Sequence, residues 1–402
     1  MNHAEGEGDF MLRKEAMKST RGRMVRVSVL AILAGMLAPA AHAGLSLPGP
    51  LTFGAGPLGS LDVQGVASAY GFYQDNVPAV SGLAGKHAAA DISNGMVIVQ
   101  KESGLVQFYL QAGAYSFPTV GVPFASAGSV TGTDFGALPV GYVKIVPDSS
   151  FSVEIGKLPT LFGAESGFTY QNINIQRGLL WNVEPVVSRG IQFNYSSGPL
   201  TASVSWNDGY YSNRYNWISG LVSYALDSAN TVSFYGGGNL GGGGGAGSNS
   251  YSNANIADGA NDSDMYGVIY SYSSGPWTVT PYVQYMYIPA QPGLGITKAS
   301  DNWGASVLAN YSITGAVSLG GRVEYLAASG TPGDGSAAGS ITGFGNGAAA
   351  WTFTVTPTYQ SGGFFARAEL SYVRAARTAG FTGFSGTNKS QFRGLLETGF
   401  MF

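Results

Sequence analysis

The chain ends in Gln391-Phe392-Arg393-Gly394-Leu395-Leu396-Glu397-Thr398-Gly399-Phe400-Met401-Phe402, a stretch whose polarity alternates from residue to residue. Two faces result: a mostly apolar one with Phe392, Gly394, Leu396, Thr398, Phe400 and Phe402, and a second with Gln391, Arg393, Leu395, Glu397, Gly399 and Met401. This period of two predicts a β-strand, because successive side chains of a strand point to opposite faces. We expect one face of this strand to meet an apolar environment and the other a polar one.

An amphipathic last strand that ends in phenylalanine resembles the assembly signal of outer-membrane β-barrels. Phe400 and Phe402 occupy the aromatic positions of that signal. The resemblance implies that the barrel insertion machinery of the outer membrane is a partner of this chain.

The composition excludes several other classes of protein. Of the 402 residues, 11% are charged, 12% are aromatic and none is cysteine. A soluble domain carries about 25% charged residues, and a chain without cysteine has no disulfides, thiolate metal sites or cysteine nucleophile. The formal net charge of −3 provides no basic surface, so we expect no nucleic-acid partner.

The N-terminus has the order of features found in a secretory signal peptide. Basic residues cluster from Arg13 to Arg26, an apolar run follows from Val27 to Leu37, and Ala41-His42-Ala43 matches a small-residue cleavage site. We predict that residues 1–43 are a signal peptide and that residues 44–402 form the mature barrel domain. The apolar run is too short for a spanning helix; a buried N-terminal helix is the alternative.

The rest of the chain repeats the alternation of the last strand. Segments that begin at Leu200, Trp277, Trp351 and Phe364 alternate in the same way, and seven short turns alternate with eight long Gly/Ser/Asn-rich loops. Short turns at one rim and long loops at the other are typical of bacterial outer-membrane barrels. We therefore predict an all-β fold, a transmembrane antiparallel β-barrel of sixteen strands, with fourteen or eighteen strands as open alternatives.

Lipid offers the backbone no hydrogen bonds, so an all-strand spanning structure has to close on itself. The predicted location is the bacterial cell outer membrane, with lipid and lipopolysaccharide as neighbours. Trp206, Trp217, Trp303 and Trp351 adjoin long loops, whereas Trp277 adjoins a short turn. This placement predicts two aromatic girdles at the membrane interfaces; ordinary core tryptophans are the alternative.

Residues 158–187 form the longest loop of mixed charge and follow the predicted fifth strand. In general porins the corresponding loop folds inward and narrows the pore, so we expect the pore constriction here. The charged residues of the loop and its ends are Lys157, Glu165, Arg177, Glu184 and Arg189. Acids and bases opposed across a narrow gap would order water and screen solutes by charge. A loop fastened by salt bridges over the barrel mouth is the alternative.

Eight further charged residues occupy the polar faces of their strands. They are Lys144, Glu154, Arg322, Glu324, Arg367, Glu369, Arg393 and Glu397. Because a charge that faces lipid costs ~2–4 kcal/mol at the bilayer midplane, we expect these residues to line the lumen wall. The three arginines could form a ladder opposite the loop, neutralised by the neighbouring glutamates, or the pairs could simply hold the wall together.

Nothing in the sequence indicates an enzyme. The mature chain keeps a single histidine, His87, and no serine lies in a G-x-S-x-G elbow. The glycine run from Gly236 to Gly247 leaves a predicted strand without entering a helix, unlike a dinucleotide-binding loop. We expect no catalytic residues, no cofactor and no metal; a weak calcium site at Asp258, Asp262 and Asp264, which lack the EF-hand spacing, is the alternative to the last.

Residues 156–190 contain a series of residues at characteristic spacings. Gly156-Lys157 ends a strand, and the residues that follow are Thr160, Gly163, Glu165, Asn174, Arg177, Pro185 and Gly190. Together with the strand at 190–195 and the strand end at 204–209, this stretch resembles the OmpL-like family of β-barrel porins. The resemblance implies an outer-membrane channel with a porin-like fold and no catalytic residue.

A wide barrel with a polar interior conducts without a cofactor. We therefore predict a porin, that is, a water-filled channel for the passive diffusion of small hydrophilic solutes or ions. General porins commonly form trimers, so a homotrimer is one expected assembly. The alternative is a structural or adhesive barrel with a blocked lumen, whose loops bind surface partners.

Overall fold

The computed structural model describes residues 44–241, 258–377 and 384–402, and the predicted signal peptide lies outside these ranges. Within them the chain forms one antiparallel sheet of 17 strands. The strands are β1 (Leu51–Gly54), β2 (Ser60–Gln74), β3 (Ala88–Lys101), β4 (Val106–Tyr115), β5 (Val140–Ile145), β6 (Phe151–Pro159), β7 (Val187–Ser197), β8 (Leu200–Asn207), β9 (Trp217–Ala225), β10 (Asn230–Asn239), β11 (Asp264–Ser274), β12 (Trp277–Ile288), β13 (Ser300–Ser312), β14 (Val317–Ala328), β15 (Ala349–Ser361), β16 (Phe364–Ala376) and β17 (Ser390–Met401).

Sixteen of these strands, β2 to β17, form a closed barrel, which confirms the predicted fold class and strand number. Each pairs with its neighbour in sequence, and β17 pairs with β2 from Met401 opposite Val66 to Arg393 opposite Gln74. Strand β1, which the sequence did not predict, pairs with the first residues of β2, beyond the end of β17. The closed sheet leaves no strand edge exposed within the bilayer.

The connections alternate between seven short turns and eight long loops, as predicted. The tightest turns place Gly198, Gly275 and Gly362 at φ of 56–57°, a conformation that favours glycine and suits the twist of a two-residue hairpin. The described parts of the long loops contain two short α-helices, α1 (Ala127–Thr133) and α2 (Ala338–Thr342). Among the described residues, no helix is both long enough and apolar enough to cross a bilayer.

The two faces of the barrel follow the alternation of the sequence. In β17, Leu396 is 68% exposed on the outer surface, whereas its neighbour Leu395 is 3% exposed and points inward. Three of the tryptophans next to long loops and the one next to a short turn are 45–50% exposed on the outer surface, as girdles require. These are Trp206, Trp303, Trp351 and Trp277.

Trp217 is the exception, and its assignment to a girdle is wrong. The alternation of β9 turns this residue inward, together with Ser219, and its side chain is fully buried. The indole Nε1 donates a hydrogen bond of 2.7 Å to the carbonyl oxygen of Asn261. Proximity to a long loop therefore did not determine which side of the wall the ring occupies.

We expect Leu396→Lys to lower the free energy of unfolding by ~2–4 kcal/mol, because it places a charge in the middle of the lipid-facing surface. Unfolding by guanidinium in lipid vesicles measures this loss. The matched control is Val106→Lys, an exposed outward position next to a short turn, where the cost falls to about 0–1 kcal/mol. Equal losses for the two variants would contradict the assignment of depth.

Candidate functional site inside the barrel

The connection from β6 to β7, residues 160–186, folds into the barrel and lies against the wall formed by β14 to β17. It includes two 3₁₀ turns, Thr169–Gln171 and Trp181–Val183. Its middle is almost entirely buried, for example at Ile175 and Leu180. We call this segment the inner loop. The sequence predicts an inward fold of this loop only by analogy with general porins. The contacts described below show how the loop is held in place.

Arg322 of β14 is the centre of the first attachment. Its Nη1 lies 2.6 Å from Oε1 of Glu165 and donates a 2.7 Å hydrogen bond to the carbonyl oxygen of Gln176. Its Nε forms an ion pair of 3.2 Å with Glu324, and Glu324 accepts a 2.8 Å hydrogen bond from the backbone N–H of Leu179. One arginine and one wall glutamate thus bind both the side chain and the backbone of the inner loop.

Arg367 of β16 makes the second attachment, together with Glu397 of β17. The two side chains form an ion pair. The guanidinium also donates 3.0 Å hydrogen bonds to the carbonyl oxygens of Asn172 and Thr169. The hydroxyl of Thr169 donates to Glu397 at 2.7 Å, which completes a closed set of contacts.

Arg393 and Glu369 make the third attachment, through Gln176. Glu369 accepts hydrogen bonds from the backbone N–H and the side-chain Nε2 of Gln176, at 3.1 and 2.9 Å. Arg393 donates to Oε1 of the same glutamine at 3.1 Å and to the carbonyl oxygen of Thr119 at 2.7 Å. It therefore ties the inner loop and the preceding long loop, residues 116–139, to the same wall.

These contacts show how the inner loop is held; its role as the pore constriction stays a prediction. Arg322 of the wall and Glu165 are in direct contact, so no gap separates this acid from this arginine of the ladder. The geometry is that of a loop fastened by salt bridges. Because removing one partner of a buried ion pair leaves an uncompensated charge, each member of the set is needed to hold the others.

All eight predicted wall residues lie on inward-facing positions. Six of them, on β14, β16 and β17, form the three attachments of the inner loop. The other two, Lys144 and Glu154, pair at 3.2 Å on β5 and β6, where Gln192 also approaches the carboxylate. Their role in conduction stays a prediction.

Lys157 and Arg189 do not lie where the constriction was predicted. The alternation of β6 and β7 places them on the outward side, in step with Ile155 and Phe193, which are exposed. Arg189 binds Asp208 at 2.7 Å, and its guanidinium lies 3.9 Å from the ring centre of Tyr211. The ammonium of Lys157 instead donates to backbone carbonyls of the preceding long loop. Both residues therefore brace loops at the rim.

Arg177 and Glu184 are buried in the inner loop, and their charged groups make no hydrogen bond to any described residue. The Arg177 guanidinium lies 5.9 Å from the ring of Trp181. Burial lowers the pKa of Arg177 to about 10, an effect that the charge of Glu165 partly offsets. Burial also raises the pKa of Glu184 well above its usual value, and the neighbouring charges of Glu165 and Glu324 add to this effect.

Glycines on the inner wall make room for the inner loop, a feature that the sequence analysis missed. A Cβ on Gly304 of β13 would lie 2.8 Å from a methyl group of Leu180, and one on Gly320 of β14 would lie 2.4 Å from Ile173. Both glycines stand at inward positions of strands, where glycine otherwise weakens a strand. In the sequence, a glycine at a lumen-facing strand position is the signal from which these apolar contacts of the inner loop could have been predicted.

The segment Gly44–Pro50 enters the barrel at the rim of the short turns, which the sequence analysis also missed. The backbone N–H of Leu45 donates a 3.0 Å hydrogen bond to the carbonyl oxygen of Tyr170. The side chain of Gln360 forms two hydrogen bonds with the backbone of Ser46. Its Oε1 accepts from the Ser46 N–H at 3.0 Å, and its Nε2 donates to the Ser46 carbonyl oxygen at 2.6 Å. A cavity of about 250 Å³ lies beside this segment and under the inner loop.

The wall from β7 to β10 carries small polar side chains on its inner face. Asn194 accepts a 2.7 Å hydrogen bond from Ser203, and Ser223 and Ser233 bond to each other at 2.7 Å. Glu154 and Gln192 continue this polar surface toward β6. In the ranges 44–241, 258–377 and 384–402, no three His, Asp or Glu residues are grouped so that they could hold a metal ion.

Comparison with known proteins identifies a family. The family model described as "Putative beta-barrel porin-2, OmpL-like" matches residues 60–402. A search of curated proteins finds no significant match.

Solved structures of outer-membrane proteins resemble the fold. OmpT of Vibrio cholerae, folded in vitro, aligns with a TM-score of 0.54 at 11% identity, covering 86% of this chain and 98% of that chain. A trimer form of the same protein aligns with a TM-score of 0.53 at 10% identity, covering 85% and 99%. OprD of Pseudomonas aeruginosa aligns with a TM-score of 0.44 at 12% identity, covering 85% and 95%.

We expect Arg322→Met to release the inner loop, because it leaves Glu165 and Glu324 buried without their cation, a loss of about 3–5 kcal/mol. Limited trypsin digestion of the folded protein in detergent should then cleave after Arg177, which is fully buried in the wild type. The control is Lys298→Met, which removes an exposed ion pair with Asp334. Continued protection of Arg177 in the Arg322 variant would refute this account of the loop.

Glu184 predicts a pH dependence of stability. Because its pKa is raised in the folded protein, the native state holds this proton more tightly than the unfolded chain does. Stability should therefore fall as the pH rises above the ordinary value of 4.5, until it passes the raised pKa. Thermal unfolding measured from pH 5 to 9 tests this expectation. The stability of the Glu184→Gln variant should fall less with rising pH than that of the wild type. An equal fall in the two proteins would argue against a buried, uncompensated carboxyl at Glu184.

Proposed function

Because this chain belongs to the OmpL-like family of β-barrel porins, we propose that it is a narrow channel for passive diffusion of small hydrophilic solutes or ions. Its family and its closed barrel locate it in the bacterial outer membrane. The observation that carries the proposal is the polar inner surface from β6 to β10, formed by residues such as Gln192, Asn194 and Ser223. None of these side chains takes part in the three attachments of the inner loop.

The proposed path runs between the inner loop and this polar surface. Serine and asparagine side chains there form hydrogen bonds with water or with hydroxyl groups of a solute. Because these bonds replace those that the solute makes in bulk water, entry costs the solute little free energy. The inner loop narrows the path from one side, and the segment Gly44–Pro50 narrows it at the rim of the short turns. We therefore expect a low conductance for a sixteen-stranded barrel.

The charge preference of this path is expected to be weak. The arginines of β14, β16 and β17 are engaged by carboxylates or loop carbonyls, so they present little free charge to a solute. The charged groups we place beside the proposed path are Lys144 and Glu154, which pair with each other. Selection by size and hydrogen bonding follows from this arrangement more readily than selection by charge.

A structural barrel with a closed lumen is the second candidate. It is favoured by the apolar packing of the inner loop, where Phe162 contacts Tyr235 with ring centres 5.6 Å apart and Leu180 fits against Gly304. If this packing seals the barrel completely, the loops outside remain available for partners. The two candidates differ in one measurable property, which is conductance.

A homotrimer is the assembly that we propose for this channel. One solved structure with a similar fold is described as a trimer form, and that statement concerns the Vibrio cholerae protein. The barrel insertion machinery remains the proposed partner that reads the last strand, with Phe400 and Phe402 exposed on its outer face.

Planar-bilayer recording tests the proposal. Refolded protein that begins at Gly44 should give small, uniform conductance steps, and protein that begins at Leu51 should give larger steps, because it lacks the segment at the mouth. Gln360→Ala should also enlarge the steps. The matched control is Ser46→Ala, which keeps the backbone groups that Gln360 binds.

Silence of both proteins at every voltage would support the closed barrel and end the channel proposal. Equal steps from the two proteins would leave the channel intact and refute the narrowing by residues 44–50.

A further inference from the structure

An aromatic groove runs along the outer surface of the barrel, at the rim of the long loops. Trp303, Tyr325 and Trp351 stand side by side on β13, β14 and β15, with ring centres 5.0 and 4.5 Å apart. Alanine and valine side chains form the floor between them, among them Ala305 and Val323, and the groove encloses about 550 Å³. A groove of this size and polarity fits part of a hydrocarbon chain.

Three cations lie at one end of this groove. Arg377 lines it and donates a 2.6 Å hydrogen bond from Nη2 to the hydroxyl of Tyr325. Arg374 is exposed on the outer face of β16, directly opposite Trp351 of β15. Lys389 is exposed immediately before β17, and its carbonyl oxygen accepts a hydrogen bond from the N–H of Ala375. The three residues therefore lie on one short part of the rim.

In the part of the chain that the structure describes, no carboxylate lies within ion-pair distance of these cations. None of the ion pairs among the described residues includes Arg374, Arg377 or Lys389. The sequence between them, Thr378 to Asn388, contains no aspartate or glutamate. Elsewhere in the barrel, basic side chains such as Arg322 and Arg189 contact carboxylates. The cluster is thus exposed positive charge without an ion pair among the described residues, next to an apolar groove.

We propose that this groove binds a phosphorylated glycolipid of the outer leaflet, of the lipid A class. An acyl chain lies along Trp303, Tyr325 and Trp351, and the phosphate groups are held by the three cations. The rim of the long loops is the outer one in barrels of this type, so the groove faces the leaflet that contains lipopolysaccharide. Arginine forms bidentate hydrogen bonds with phosphate, and aromatic side chains favour the interface between acyl chains and headgroups.

The charge of the cluster favours this occupant over the alternatives. A second copy of the chain packed on this face would bury three cations, which is costly unless each meets an acid. A zwitterionic lipid brings no net charge to compensate them. Lipid A carries two phosphates on one molecule, so it matches a cluster of several cations better than a lipid with a single phosphate does.

Native mass spectrometry of the refolded protein in detergent micelles tests the site, which does not depend on conduction. The probes are bisphosphorylated lipid A, monophosphorylated lipid A and phosphatidylglycerol. We expect the wild type to bind the bisphosphorylated form most tightly. The triple variant Arg374→Gln, Arg377→Gln, Lys389→Gln should weaken that binding at least tenfold, while its circular dichroism remains that of the wild type.

Two further variants separate charge from groove. Lys86→Gln with Lys298→Gln removes two other exposed cations outside the groove lining and should leave binding unchanged. Ala305→Phe fills the groove, keeps every cation and should also weaken binding. The proposal is overturned if the triple variant binds like the wild type, or if phosphatidylglycerol binds as tightly as bisphosphorylated lipid A. It is also overturned if the triple variant changes only the oligomeric state, since the face would then be a contact between subunits.

Discussion

The whole structure depends on the hydrogen bonds that close the sheet between β17 and β2. In lipid, every unpaired backbone group costs several kcal/mol, so a spanning sheet is stable only without edges. Closure divides the side chains into an outer and an inner set, and the period of two then fixes the environment of each residue. Leu396 and Leu395 are adjacent in sequence, yet one lies on the lipid-facing surface and the other lies in the interior.

The interior has a different constraint, because burying a charged group is costly unless the group is paired. Arg322, Arg367 and Arg393 meet this requirement by binding the inner loop and its neighbour rather than by facing an open pore. Their partners include backbone carbonyl oxygens of the loop. These contacts fix the path of the loop backbone in addition to compensating charge. Rigid attachment through several shared residues makes the narrowing of the lumen a permanent feature of the folded state.

The sequence predicted the barrel well because its evidence is local and repeated. Alternation and turn lengths recur in strand after strand, so individual errors average out. The errors fall near strand ends: Lys157, Arg189 and Trp217 adjoin loops, where nearness to a loop was used in place of strand parity. The contact of Glu165 with Arg322 joins residues 157 positions apart, and no local pattern distinguishes contact from opposition across a gap.

The same reasoning explains why the selectivity of this channel cannot come from the arginine ladder. A ladder influences a solute only through charge that remains uncompensated at the water-filled surface, and here each guanidinium is buried and bound to the loops or their acids. The other contributions to the field inside the barrel come from the pair of Lys144 and Glu154, from Arg177 and Glu184 in the inner loop, and from the dipoles of serine and asparagine side chains. Exposed positive charge instead lies outside, at Arg374, Arg377 and Lys389. In the proposed function and the proposed lipid site, positive charge acts mainly on the lipid around the barrel, while polar neutral groups act on the solute within it.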